Sequence, residues 1–253
     1  MGRIILKEST VLPTGLQYDR RWMLVDGEGK FVTQRSLPEM ARVKFEWTEN
    51  GFDGSYSGVD HGAIKIPFEM PSSPAFSVQV WDDKVAARAM SKEINDWFSG
   101  VFVKKCQLVR MEDNAIRKST IGKPDKLSSF ADITPFLIIG ESSLNDLNGK
   151  MKTPIPISRF RPNFVFSGGD AFVEDKWDEF KIGDILFKKY KKCGRCKVTT
   201  IDQDTGEKRG EEPLETLGKY RKEDRQLNFG IRASLGESDG KAVVKLNDEV
   251  KAL

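Results

Sequence analysis

The chain has 253 residues, of which 38% are hydrophobic and 31% are charged. This composition is that of an ordinary globular protein, and it excludes both an intrinsically disordered chain and a membrane-embedded one. The 41 basic and 38 acidic residues nearly balance, so the net charge of +3 gives no general signature of nucleic-acid binding.

The N-terminal residues predict a cytoplasmic location. They become charged soon after Met1 and lack the apolar core and the cleavage site of a secretory signal. No stretch of the sequence approaches the roughly 20 apolar residues that a membrane-spanning helix needs. We therefore expect no membrane span.

The first part of the chain predicts short strands separated by turns, because β-branched and aromatic residues recur in short runs between Gly, Asp, Asn and Pro. Residues 21–33 predict a hairpin with an Asp-Gly turn. Residues 91–98 predict a short amphipathic helix that Ser91 caps. Further strands are predicted at residues 43–47 and 76–81, and residues 101–103 and 107–110 together predict one more.

Residues 111–126 are polar and show no apolar period, so they predict a domain boundary, with domains at 1–112 and 113–253. Residues 141–148 predict a capped helix in the second domain. Many short strands with few helices predict a mostly β fold with some α (α+β), built from barrel-like β domains. The strands of the second domain are predicted at residues 135–139, 164–166, 185–190, 197–201, 242–246 and 249–253.

The chemical centre of the sequence is the segment Cys193-Gly194-Arg195-Cys196, and its spacing has several interpretations. A redox dithiol places its first cysteine at a helix N-terminus, whereas residues 197–201 predict a strand. A structural zinc site needs about four ligands, and only Cys106 and the single histidine His61 could add to the pair. Two buried apolar cysteines are a further interpretation. One soft thiolate flanked by basic residues suits a metal that brings its other ligands on an anionic cofactor.

The string KCGRCKVTTIDQDTG at residues 192–206, followed by EPLETL at 212–217, resembles a known family. It is similar to the sulfurase C-terminal (MOSC) domain of the molybdenum-cofactor amidoxime-reducing component and its bacterial relatives. Matching segments occur in the expected order along nearly the whole chain. They lie at residues 18–23 and 31–35 in the N-terminal β-barrel domain, and at 134–137, 159–163, 177–178, 182–184 and 229–230 in the MOSC domain.

The resemblance implies an oxidoreductase that binds the molybdenum cofactor, molybdopterin with molybdenum. In that family the second cysteine of the motif is the metal ligand and the catalytic residue, and it corresponds to Cys196 here. The substrates are small N-hydroxylated compounds such as amidoximes and hydroxylamines. The chain ends at Leu253 without an iron–sulfur domain, so we expect a separate electron donor of the ferredoxin, flavoprotein or cytochrome b5 type.

The resemblance also implies residues that bind the cofactor. Arg161 offers a planar guanidinium for the cofactor phosphate, although a surface ion pair is the alternative. Asn163 supplies an amide to the pterin or its phosphate, or else caps a turn. Arg20 and Arg35 reach the cofactor from the N-terminal domain, unless they are simply solvated.

Three further positions belong to the same implied site. Thr134 binds the pterin through its hydroxyl and backbone, or merely begins a strand. Phe229 and Gly230 bring backbone close to the cofactor, or form an ordinary turn. Pyridoxal phosphate binding is an additional expectation to which no residue is assigned.

Two features depart from the family pattern. Family members carry a Pro-Val-Lys-Ser-type segment ahead of the first barrel strand, whereas this chain starts almost directly at residues 4–6, so we expect a truncated start or weaker cofactor binding. Gly194 stands where serine is frequent and keeps only the backbone N–H contact. A carrier of the cofactor, or of a persulfide on Cys196, is the alternative function. Because only Tyr190 interleaves the basic run, we expect no nucleic-acid partner.

Overall fold

The computed structural model describes residues 1–117, 127–237 and 242–253. Within them the chain is mostly β with three α-helices, as the sequence predicts. The strands are β1 (Glu8–Leu12), β2 (Gly15–Leu16), β3 (Trp22–Val25), β4 (Val43–Trp47), β5 (Gly51–Tyr56), β6 (Ile64–Pro67), β7 (Ala75–Val80), β8 (Asp83–Ala89), β9 (Gln107–Met111), β10 (Phe136–Gly140), β11 (Phe164–Phe166), β12 (Glu179–Ile182), β13 (Ile185–Gly194), β14 (Lys222–Glu223), β15 (Gln226–Leu235), β16 (Ala242–Lys245) and β17 (Val250–Ala252). The α-helices are α1 (Lys92–Phe102), α2 (Glu141–Gly149) and α3 (Leu214–Tyr220), and 3-10 helices span Pro38–Arg42, Ile157–Phe160, Val173–Lys176 and Lys197–Thr200.

The chain divides into two compact units, and neither is continuous in sequence. The first unit contains Met1–Ile5, Tyr18–Ile133 and Asp202–Glu207, and the second contains Leu6–Gln17, Thr134–Ile201 and Lys208–Leu253. The predicted boundary between residues 112 and 113 lies inside the first unit, and part of the polar stretch on which it rests lies outside the described residues. The two domains at 1–112 and 113–253 therefore stay a prediction.

The first unit contains two antiparallel sheets and helix α1. The sheets have the strand orders β3-β9-β8-β7 and β4-β5-β6. Ser91 caps α1 as predicted, because its hydroxyl accepts a hydrogen bond from the backbone N–H of Ile94 at 3.3 Å. The strand predicted from residues 101–103 and 107–110 is present at 107–110 as β9. It is wrong at 101–103, since Val101 and Phe102 continue the buried face of α1, and Val103 ends the helix with a positive φ of 47°.

The predicted hairpin of the first unit is only partly present. Its turn forms, because the Asp26 carboxylate accepts the backbone N–H groups of Glu28 and Lys30 at 2.9 and 3.0 Å. Its second arm makes two isolated bridges, an antiparallel one between Phe31 and Val25 and a parallel one between Lys30 and Gln79. The N–H of Phe31 instead donates to the carbonyl of Gln79 on β7, so this arm divides its hydrogen bonds between two strands.

The second unit contains the cysteine segment, residues 193–196, on its larger sheet. The strand order of that sheet is β11-β10-β15-β13-β12-β17, with β14 beside β15, and β10 and β11 are parallel. A smaller sheet has the order β16-β1-β2. The two predicted C-terminal strands are present, but they pair with β1 and β12 rather than with each other.

The strand predicted at residues 197–201 is wrong, because the chain forms the 3-10 helix Lys197–Thr200 there. The hydroxyl of Thr199 donates to the carbonyl of Cys196 at 3.0 Å, and that of Thr200 donates to the carbonyl of Lys197 at 2.8 Å. Threonine hydroxyls that bond backbone three residues earlier compete with strand pairing. The β-branched composition therefore misled the sequence prediction.

Helix α2 begins after Gly140, which has no side chain to cap the helix. Its cap comes from Glu174, a fully buried residue of the 3-10 helix Val173–Lys176. The Glu174 carboxylate accepts the N–H of Gly140 at 3.3 Å and the hydroxyl of Ser143 at 2.9 Å. Burial nevertheless raises the pKa of Glu174 above its usual value of 4.5.

Glu174→Gln tests this buried cap. Because the folded state holds the Glu174 proton more tightly than the unfolded state does, the stability from this group is greatest at low pH and is lost as pH rises through the raised pKa. We expect the difference in unfolding free energy, wild type minus Glu174→Gln, to fall from pH 4.5 upward. Urea unfolding at a series of pH values measures it, and a difference that is independent of pH contradicts the prediction.

Gly230→Ala tests the close approach of β15 to β10. Gly230 has a φ of +74°, and an added Cβ would lie 2.6 Å from the Cγ1 of Ile139 and 2.7 Å from the carbonyl oxygen of Ile138. We expect a loss of about 1–3 kcal/mol or more of unfolding free energy. Gly218→Ala in helix α3 is the matched control, because its Cβ would meet only Leu227 at 4.0 Å. We expect that control to gain about 0.5–1 kcal/mol, and equal losses in both variants would contradict the argument.

Candidate functional site

The cysteine segment begins within the irregular end of β13, whose last two residues are Cys193 and Gly194. Lys192 pairs with Ile231 and Gly194 pairs with Asn228, so two residues of β15, Phe229 and Gly230, lie opposite Cys193 alone. Such a bulge increases the local twist and redirects the strand. Beyond it the chain leaves the sheet, held by the N–H of Arg195 on the carbonyl of Leu227 at 2.8 Å.

Phe229 and Gly230, both predicted to bind cofactor through their backbone, form this bulge rather than a turn. The Phe229 side chain is fully buried and stacks on Phe160, with ring centroids 4.2 Å apart. Gly230 is required because β10 lies against it. These residues therefore shape the sheet beside the cysteine segment, and contact of their backbone with a cofactor stays a prediction.

The two cysteines of the segment have different surroundings. Cys193 is 2% exposed, and its sulfur accepts a hydrogen bond from the Nη1 of Arg195 at 3.0 Å. The Nη2 of Arg195 donates to the carbonyl of Phe160 at 2.7 Å, and its guanidinium lies 5.3 Å from the centre of that ring. The Nε of Arg195 is buried without a hydrogen-bond partner among the described residues. Arg195 was not predicted as a site residue, and only its place between the cysteines could have indicated it.

Cys196 is half-buried and is thus the more exposed cysteine of the segment. Its carbonyl accepts both the N–H and the hydroxyl of Thr199, each at 3.0 Å, and this starts the 3-10 helix Lys197–Thr200. The buried Arg159 donates to the carbonyl of Thr199 at 3.3 Å. The turn that carries Cys196 is therefore joined at both ends to the 3-10 helix Ile157–Phe160, through Arg195 and through Arg159.

The structure around the two cysteines bears on a redox dithiol. The strand predicted after Cys196, which disfavours such a pair, is absent. A thioredoxin-type pair places its first cysteine at a helix N-terminus. Here the second cysteine precedes the helix, which has a single turn, and the first lies in β13. The arrangement still differs from that of a thioredoxin-type pair, for a different reason.

Arg161 and Asn163 follow the same 3-10 helix to which Arg195 is bonded. Arg161 is half-buried with a positive φ of 57°. The Asn163 side-chain oxygen accepts the N–H of Leu137 at 3.0 Å, and the Asn163 N–H donates to the Leu137 carbonyl at 2.9 Å. Asn163 therefore extends the pairing of β10 and β11. The sequence alternative, a cap on a turn, does not describe these bonds. Thr134 is buried ahead of β10, and its hydroxyl donates to the carbonyl of Phe136 at 3.3 Å.

Arg20 and Arg35 belong to the first unit. Arg20 has a positive φ of 51° and pairs with the carboxylate of Asp19. Arg35 lies 3.5 Å from the carboxylate of Asp132, and its guanidinium lies 4.8 Å from the ring centre of Trp81. Both are therefore held within their own unit, and their predicted contact with a cofactor stays a prediction.

The basic run of β13 is largely neutralised by acidic partners. Lys188 lies 3.0 Å from Glu179, Lys189 lies 3.2 Å from Asp178, and Lys192 lies 2.7 Å from Glu223. These ion pairs reduce the positive potential that a nucleic acid would need. The expectation of no nucleic-acid partner agrees with them and stays a prediction.

The residues at this turn are compatible with the cofactor that the resemblance implies. Cys196 is a half-buried cysteine, and Arg161 offers a guanidinium on the neighbouring loop. A Cβ at Gly194 would lie 2.6 Å from the side-chain oxygen of Gln226, so a side chain at this position would displace Gln226. A soft sulfur ligand with basic neighbours suits an anionic, metal-containing group.

Two further observations concern the described residues only. No group of three or more His, Cys, Asp or Glu side chains in this part of the chain could hold a metal ion. None of its helices has both the length and the apolar character needed to cross a membrane.

The chain is similar to known proteins along most of its length. Residues 125–251 match the family described as "MOSC domain", and residues 1–105 match the family described as "MOSC N-terminal beta barrel domain". The mitochondrial amidoxime-reducing component 1 of Mus musculus is 30% identical over 227 residues, which are 85% of this chain and 66% of that protein. The Homo sapiens protein of the same name is 33% identical over 218 residues, which are 83% of this chain and 64% of that protein.

A plant protein with a different name is also similar. The molybdenum cofactor sulfurase of Oryza sativa subsp. japonica is 31% identical over 238 residues, which are 86% of this chain and 29% of that protein. The chain thus spans less than two thirds of the length of these relatives. Because the two family matches together cover most of the sequence, the chain belongs to the MOSC family, with a MOSC N-terminal beta barrel domain followed by a MOSC domain.

Proposed function

We propose that the chain binds the molybdenum cofactor and reduces small N-hydroxylated compounds with electrons from a separate redox protein. One observation supports this most: Cys196 lies half-exposed on a turn that two arginines hold in place, while Cys193 is buried against Arg195. The relatives named amidoxime-reducing component extend over 85% and 83% of the chain and support the same reaction class.

The residues that would hold the cofactor follow from the site and from the family. Cys196 would be the metal ligand and the catalytic residue, because a thiolate is a soft ligand for molybdenum. Arg161 would bind the cofactor phosphate, because a guanidinium forms two parallel hydrogen bonds to an oxyanion. The other residues proposed to contact the cofactor are Arg20, Arg35, Thr134, Asn163, Gly194, Phe229 and Gly230.

The bound cofactor would supply two-electron redox chemistry. In the proposed reaction the N-hydroxylated substrate takes up two electrons and two protons, its N–O bond breaks, and the reduced base and water are released. The protein residues bind and orient. The guanidinium of Arg161 would offset the phosphate charge, and the fixed turn would hold the sulfur of Cys196 in a single direction, since a ligand that needs no reordering binds more tightly.

A second function has its own support. The similarity to a molybdenum cofactor sulfurase covers 86% of the chain, so a carrier that binds the cofactor, or a persulfide on Cys196, without turnover is the alternative. The electron donor would be of the ferredoxin, flavoprotein or cytochrome b5 type in the first case and unnecessary in the second. Activity with an artificial donor therefore separates the two. The cytoplasmic location and pyridoxal phosphate binding stay predictions.

Cys196→Ser tests the proposed ligand. We expect it to abolish molybdenum-dependent reduction of an aromatic amidoxime, with reduced methyl viologen as the electron donor, because serine cannot replace a soft thiolate ligand. Cys193→Ser is the matched variant and should keep a substantial part of the activity. Equal loss in both variants would favour the redox dithiol. A wild-type protein that contains molybdenum but shows no turnover would favour the carrier.

Arg161→Ala tests the phosphate contact. We expect about a tenfold or larger drop in the molybdenum retained per chain after gel filtration, because a hydrogen bond to a charged group contributes about 1.5–3 kcal/mol. Arg225→Ala is a close control. Arg225 is exposed, and its φ of 64° resembles the 57° of Arg161, so alanine has the same backbone consequence at both positions. Equal molybdenum retention in the two variants would remove Arg161 from the site.

A further inference from the structure

The contact between Arg195 and Cys193 has no role in the proposed reaction. Cys193 is 2% exposed and Arg195 is half-buried, and two guanidinium N–H groups of Arg195 bond the sulfur of Cys193 and the carbonyl of Phe160. A hydrogen bond that involves a charged group contributes about 1.5–3 kcal/mol. The orientation of Arg195 therefore depends on both acceptors.

The second acceptor is fixed independently of the cysteine segment. Phe160 is 1% exposed, and its ring stacks on Phe229, which belongs to the bulge of β15. Gly230 holds that bulge close to β10. The carbonyl of Phe160 is consequently a rigid anchor, and Arg195 connects it to the end of β13.

Arg195 and Cys196 are adjacent in the turn that follows β13. The N–H of Arg195 donates to the carbonyl of Leu227, and further along the turn Arg159 donates to the carbonyl of Thr199. Cys196 lies between these two connections. A change in the direction of the Arg195 side chain would therefore change the direction of the Cys196 sulfur.

We propose that Cys193 is a positioning residue: as a buried hydrogen-bond acceptor it orients Arg195, and Arg195 fixes the turn that presents Cys196. Cys193 acts through its neighbour, without itself contacting metal, cofactor or substrate. The part of this inference that concerns cofactor loading rests on the proposed function. The part that concerns the order of the turn is a property of the chain alone.

Two other roles for Cys193, a redox dithiol and pure packing, predict effects of substitution that differ from those of the positioning role. In a redox dithiol, serine and alanine are equally inactive, because neither forms a disulfide. In pure packing, the sulfur fills space, and serine and alanine, which are both smaller, have similar effects. In the positioning role, serine keeps an acceptor for the Nη1 of Arg195, whereas alanine removes it. The comparison of Cys193→Ser with Cys193→Ala therefore separates the positioning role from the other two.

The first measurement uses the full chain purified from a host that makes no pterin cofactor. The rate at which iodoacetamide alkylates Cys196 is followed by mass spectrometry of the peptide that contains it. We expect Cys193→Ala to raise this rate about tenfold, because loss of one charge-assisted hydrogen bond loosens the turn, and Cys193→Ser to stay near the wild-type rate. Cys106→Ala is the matched control, since Cys106 is also 2% exposed but lies in the first unit, and it should leave the rate unchanged.

Arg195→Lys gives a second, independent variant. Lysine keeps the positive charge but lacks the planar fork that reaches two acceptors at once. We expect its alkylation rate to resemble that of Cys193→Ala, and we expect the double variant Cys193→Ala/Arg195→Lys to exceed neither single variant, because the two residues form one unit. If Cys193→Ala does not fold, the comparison of Arg195→Lys with Cys193→Ser still decides the question.

The second measurement is molybdenum content per chain after expression in a host that makes the cofactor. We expect about a tenfold lower content for Cys193→Ala and Arg195→Lys, and a content near wild type for Cys193→Ser and Cys106→Ala. Alkylation rates that are the same for Cys193→Ser and Cys193→Ala would overturn the positioning role. A wild-type chain without molybdenum would instead count against the proposed function, and the alkylation comparison would still decide the inference.

Discussion

The candidate site depends on two guanidinium contacts that join the 3-10 helix Ile157–Phe160 to the turn beyond β13. Arg195 bonds the carbonyl of Phe160, and Arg159 bonds the carbonyl of Thr199. Both donors are charged, Arg159 is buried and Arg195 is half-buried, and hydrogen bonds from charged groups are among the stronger ones in proteins. The turn with Cys196 is therefore held at two points.

The sheet beneath the turn supplies the rigidity that these contacts need. The bulge of β15 places Phe229 under Phe160, and Gly230 allows β15 and β10 to approach more closely than any side chain would permit. Bulges next to functional sites commonly redirect the chain in this way. Phe229 and Gly230 therefore shape the sheet beside Cys196, the residue proposed to be catalytic.

The two cysteines of the short motif have different surroundings. Cys193 is buried, and its sulfur accepts a hydrogen bond, whereas Cys196 is half-exposed at the start of a helical turn. A buried sulfur that is hydrogen bonded to a guanidinium is poorly placed to meet a large anionic group. Cys196 is the more exposed residue of the two, which agrees with the assignment that the family resemblance implies.

The sequence by itself determined the mostly β class, most strands, the capped start of α1 and the MOSC family, because strand periods, caps and motif strings are local or contiguous. It could not determine the helical turn at Lys197–Thr200, where threonine hydroxyls bond the backbone, or the continuation of α1 through Val101. Only the tertiary structure decided which cysteine is buried and where Arg195 points, since that side chain bonds a carbonyl 35 residues away. Contacts between distant segments depend on packing, and no spacing in the sequence encodes them.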